Sequence, residues 1–82
     1  MSTQVTVRYF AGAAEAAGAE SETLSADSVG ALRTAMIGRH GPGLAKVLGR
    51  CSLLANGLYV DDAATLLAEG ATVDVLPPFA GG

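Results

Sequence analysis

The chain has 82 residues, half of them apolar and 16% charged, which suffices for one small domain with a modest core and excludes a disordered chain. Its net charge is −3, with four Arg and a single Lys, so the basic stripe of a nucleic-acid-binding protein is excluded. The lone Cys51 rules out an intrachain disulfide, and no apolar run approaches the ~20 residues of a membrane-spanning helix.

The opening MSTQVTVRYF has neither the basic start nor the long apolar stretch of a signal peptide, so the cytoplasm is the expected compartment. Alternation from Val5 to Phe10 predicts a strand with Val5, Val7 and Tyr9 on one face. Thr6 and Arg8 mark the other face as outward, which leaves Phe10 as an apolar residue pointing to solvent. The Ala-rich run 11–17 reads as a short helix closed by Gly18. Residues 20–24 form a weaker strand.

Asp27 and Ser28 carry cap chemistry for a main helix whose stripe is Val29, Leu32, Met36 and Ile37. Arg39 and His40 suit its negative end, and Gly41-Pro42 stops it. Residues 43–49 allow one more helical turn. Strands at 52–55 and 58–60 flank the tight-turn pair Asn56-Gly57. Asp61-Asp62 are expected to cap a short helical segment running through Leu67 and ended by Gly70. The last strand, 72–76, turns Val73 and Val75 inward and Thr72, Asp74 and Leu76 outward, and Pro77-Pro78 ends it. One long helix needs a sheet to cover its stripe, so a two-layer α+β domain is expected, with residues 1–76 forming the domain and 77–82 a flexible tail.

Internal chemistry is sparse. The only His, His40, sits at a helix end, and no base accompanies a nucleophile. Cys51 reads as a small core residue. One Cys and one His make a metal site a weak reading, and no metal is expected. Asp61-Asp62 are better read as a turn cap than as paired catalytic carboxylates. No glycine pattern predicts a phosphate cradle.

What remains is the chain end: Pro77, Pro78, Phe79, Ala80, Gly81 and Gly82. The prolines favour a stiff, extended exit, and six residues at about 3.3 Å each reach about 20 Å. The tip is a bare backbone carboxylate that fits a narrow channel on another protein. Adenylation would turn that carboxylate into an acylating agent, and sulfide displacing AMP would leave a thiocarboxylate.

The sequence Val7-Arg8-Tyr9-Phe10-Ala11, the Ala-rich helix ending at Gly18, the Asn56-Gly57 hairpin and the ending Leu76-Pro77-Pro78-Phe79-Ala80-Gly81-Gly82 resemble the molybdopterin synthase small-subunit family, the MoaD type of the MoaD/ThiS sulfur carriers. The resemblance spans nearly the whole chain, and the Pro-Pro-x-x-Gly-Gly ending is its most specific part. It implies a ubiquitin-like β-grasp, a mixed sheet packed on one main helix. It further implies that an E1-like enzyme adenylates Gly82 with ATP, that no cofactor is bound permanently, and that the Gly82 thiocarboxylate gives sulfur to cyclic pyranopterin monophosphate. The implied partner is the synthase large subunit, in a two-plus-two heterotetramer whose catalytic side chains lie on that subunit.

Carried over by position, the family's docking patch falls on Phe10, Tyr59 and Leu76. Arg8 and Asp74 are expected to form a cross-strand ion pair beside it. Where relatives commonly have Gly-Asp before the last strand, this chain has Gly70-Ala71, and so lacks a turn-stabilising carboxylate. The same features also suit a sulfur carrier for thiamine or cysteine synthesis, or a ubiquitin-like modifier or binding module.

Overall fold

Residues 4–9 alternate between buried and outward positions and form β1 (Gln4–Tyr9), with Val5 and Val7 fully buried and Tyr9 nearly so. These and all further positions come from a computed structural model that describes residues 3–78. A turn leads into α1 (Gly12–Ala17), which ends at Gly18 in the left-handed conformation expected of a glycine cap. β2 (Ser21–Ser25) returns antiparallel to β1.

Ser28 adopts extended backbone and its Oγ accepts the Ala31 N–H at 3.2 Å, which starts α2 (Val29–His40). Val29, Leu32 and Met36 are buried, as the periodicity requires. Ile37, expected in the same stripe, is instead 37% exposed, because it lies about 100° around the helix from Met36. α3 (Pro42–Leu48) follows Gly41 directly, begins on its proline, and buries Leu44 and Leu48. β3 (Ser52–Ala55) and β4 (Leu58–Val60) are joined by Asn56 and Gly57, both with positive φ, the backbone a two-residue hairpin turn demands. β5 (Thr72–Leu76) completes the sheet.

The strand order is β2-β1-β5-β3-β4, with β1 and β5 parallel and the remaining pairs antiparallel. The helices cover one face, and the core between the layers is built from Val5, Val7, Leu53, Val73 and Val75 against Leu32, Met36, Leu44 and Leu48. This is the ubiquitin-like β-grasp.

Residues 61–67 do not form the expected helix. Asp62 instead accepts the Ala64 N–H on its own side chain at 2.9 Å, a local bond that competes with helix formation. The segment's carbonyls serve α2: Val29 N–H donates to Thr65 O and Gly30 N–H to Ala63 O, both at 2.9 Å. A helix start leaves N–H groups without partners, and this loop supplies them. Gly30 permits the approach, since a Cβ there would sit 3.1 Å from both Ala63 Cβ and Ala63 O.

Ala71 offers the turn before β5 no carboxylate, and a neighbouring one reaches across to β1 instead. Glu69 Oε1 accepts the Gln4 N–H at 3.0 Å, and Gly70 N–H donates to Gln4 O at 2.8 Å.

Candidate functional site

The alternation that buries Val7 and Val75 turns their neighbours onto the uncovered face of the sheet. Register aligns Arg8 with Asp74, Asp74 with Leu54, and Leu54 with Tyr59, forming one row across four strands. Arg8 Nε lies 2.6 Å from Asp74 Oδ1 and Nη2 lies 2.9 Å from Oδ2, the bidentate form of the expected ion pair. The Arg8 side chain is half exposed, so the pair adds little stability. Its geometric effect is larger, because it fixes the guanidinium 5.8 Å from the Phe10 ring centre.

Phe10 follows β1, and its N–H donates to Val75 O at 3.2 Å, extending the parallel ladder by one bond. That places Phe10 beside Leu76. Phe10 is 39% and Tyr59 63% exposed, while Leu76 is half-buried. The three share the outer face, with Phe10 and Leu76 at the end where β5 leaves the sheet and Tyr59 on the edge strand. Leu58 and Leu66, for which no role was expected, are more exposed than any of them.

Pro77 is half-buried and Pro78 exposed. Phe79, Ala80, Gly81 and Gly82, most of the expected flexible tail, lie outside the described residues. Cys51 precedes β3; its thiol donates to Val47 O at 3.3 Å, and burial pushes its pKa up, against a smaller opposing effect of Arg33. A thiol so placed is a poor nucleophile. Among the described residues, no group of three His, Cys, Asp or Glu could hold a metal ion, and no helix is long and apolar enough to cross a membrane.

A polar cluster lies on the other side of the sheet from Phe10. Glu22 Oε2 accepts the Tyr9 hydroxyl at 2.6 Å and lies 2.5 Å from His40 Nε2, while Oε1 lies 2.7 Å from Arg39 Nε. The Tyr9 and His40 rings meet edge to face at 5.8 Å. His40, read from sequence as a plain helix-end residue, thus ties the end of α2 to the β1–β2 edge. The missed signal was strand alternation, which puts Glu22 opposite Val7 on the helix side.

Burial alone would raise the Glu22 pKa. The hydrogen bonds from Tyr9 and His40, with the charges of His40 and Arg39, outweigh it and hold the carboxyl below its ordinary value. Burial, then the bond to Glu22, pushes the Tyr9 phenol up. A lowered carboxyl pKa contributes stability that is present above the unfolded value, about 4.3, and is lost as pH falls through the folded one. Melting temperatures recorded from pH 7 downward should therefore drop below about pH 4. Glu22→Gln should start lower at pH 7 and lose less on acidification; parallel curves for the two proteins would remove Glu22 from the acid response.

A model of the ThiS family matches residues 7–82. Among curated proteins, none matches the sequence. Among solved structures, small archaeal modifier protein 1 (SAMP1) from Methanosarcina acetivorans is similar at TM-score 0.86 and 26% identity, covering 100% of this chain and 99% of that one. SAMP1 from Haloferax volcanii is similar at TM-score 0.83 and 28% identity, covering 96% and 99%. Helicobacter pylori molybdopterin-converting factor, solved as a complex of subunits 1 and 2, gives TM-score 0.73 and 30% identity, covering 98% and 100%.

Proposed function

The chain belongs to the ThiS family, and from that premise we propose that it is the sulfur-donating small subunit of molybdopterin synthase. The observation that carries this is the end-to-end similarity to a molybdopterin-converting factor chain solved with its second subunit. The β-grasp supports it by grouping Phe10 and Leu76 at the end of the sheet from which the tail departs.

In this reading the reacting group is the carboxylate of Gly82. An E1-like enzyme joins its carboxylate to AMP from ATP, releasing pyrophosphate. A sulfide donor displaces AMP, and the thiocarboxylate gives its sulfur to cyclic pyranopterin monophosphate in the active site of the large subunit. Pro77 and Pro78 begin a thread that carries Gly82 there, and Phe10, Tyr59 and Leu76 hold the partner. The assembly is two plus two, in the cytoplasm, with no cofactor held by this chain.

The two SAMP1 structures favour a second reading, a modifier whose Gly82 is joined to lysines of other proteins. Intact-mass measurement of the chain purified from its native cell separates them. A carrier shows one oxygen replaced by sulfur at Gly82. Isopeptide conjugates alone, with no such exchange, decide for the modifier.

A further inference from the structure

The Phe10 ring stands at the end of the sheet from which the tail departs, yet it belongs neither to the buried core nor to the side chains packed against that core. We propose that Arg8 and Asp74 are positioning residues for docking: Asp74 aims the Arg8 guanidinium, and the guanidinium holds the Phe10 ring in the pose that the large subunit binds. The inference rests on the docking reading above and adds what prepares Phe10 for it.

The brace starts from a strand held on both sides. Asp74 lies on β5, between β1 and β3, and its side chain is only 18% exposed. Parallel register sets Arg8 directly beside it. Each Asp74 oxygen accepts a guanidinium N–H, at 2.6 and 2.9 Å, so the plane of the Arg8 head group is fixed as well as its position. The guanidinium carbon lies over the Phe10 ring, 5.8 Å from its centre and within the range of a cation–π contact. The Phe10 backbone is held separately, because its N–H donates to Val75 O and its O accepts the Ala13 N–H at 3.0 Å.

A fixed backbone does not fix the ring, whose side-chain torsions have several staggered wells. Ordering such a side chain on binding costs affinity, and a ring already held avoids that cost. An ion pair with a half-exposed arginine adds little stability, which leaves orientation as its larger contribution. A lysine would supply the charge, but neither the two-point grip on Asp74 nor a planar face for the ring.

The test uses the full-length chain, free and with the molybdopterin synthase large subunit. In the free chain, NMR should show the Arg8 δ-methylene protons shifted upfield by the Phe10 ring. Arg8→Lys loses this stack, and Asp74→Asn should abolish the shift with Arg8 still present. Each variant should melt within a few degrees of wild type. Calorimetry should show binding to the large subunit weakened about three- to tenfold in Arg8→Gln, Arg8→Lys and Asp74→Asn, the effect of having to order the ring on binding. In a Phe10→Ala background, Arg8→Gln should weaken binding no further, because the ring through which it acts is gone.

Additive losses from Arg8→Gln and Phe10→Ala would show Arg8 gripping the partner directly, and full binding by Arg8→Lys would reduce its part to charge. Either result overturns the proposal, as does an upfield shift that persists in Asp74→Asn. Wild-type affinity in the folded Arg8 and Asp74 variants, with Phe10→Ala still weak, would remove the brace and leave the docking reading intact. A wild-type chain that does not bind the large subunit would sink both together.

Discussion

A chain lacking Gly81 and Gly82 is expected to melt with the intact protein yet transfer no sulfur. The buried side chains of the described core run from Val5 to Val75, and β5 ends at Leu76. The hydrophobic contribution to stability therefore lies upstream of the deletion. The reactive atom in the proposed chemistry lies wholly within it. Conversion of the pterin precursor by the reconstituted synthase, measured beside a thermal melt, checks both halves. Residual conversion above background would show that sulfur is carried elsewhere. A large fall in melting temperature would show that the tail helps hold the domain.

Leu32→Ala should have the opposite signature, a severe loss of stability from a residue with no part in transfer. Leu32 is fully buried between α2 and the sheet. Truncating such a side chain costs about 2–5 kcal/mol, from lost burial and the cavity left behind. A domain of this size has a total stability on the order of 4–12 kcal/mol, so the variant retains little margin at growth temperature. The melting temperature should fall by about 10 °C or more, read by circular dichroism. A fall of only a few degrees would mean that α2 and the sheet close over the gap.

Most of the fold is legible before any coordinates, because its cues are local and agree with one another. The alternation of Val5, Val7 and Tyr9 gives β1 its inner face, and Asn56-Gly57 sets the hairpin. Ser28 and Gly41 bracket α2. The expectation failed at residues 61–67, where an apolar, helix-compatible stretch meets the unpaired N–H groups of α2. Its carbonyls go to another element, and only the tertiary pairing reveals that. The cluster of Tyr9, Glu22 and His40 was hidden for the same reason: its members are 13 and 18 residues apart, and none is unusual alone.

The outer-face residues were visible as breaks in a pattern, since Phe10 and Leu76 are apolar where polar residues alternate. Their grouping came from the family resemblance and not from the pattern, because it depends on the parallel pairing of β1 with β5.

The place of β5 in the sheet bears on mechanical load. It is the middle strand of five, bonded along its length to β1 on one side and β3 on the other. In the proposed transfer, a partner drawing the tail into a channel would put tension on the domain at Pro77 and along β5. The strand is then pulled lengthwise against both ladders, so their bonds share the force in shear instead of opening one after another. An edge strand such as β4 has one ladder and would yield more readily. If the proposed cycle operates, hanging the tail from the centre of the sheet would let the chain be tugged at its tip repeatedly without unravelling the proposed docking face.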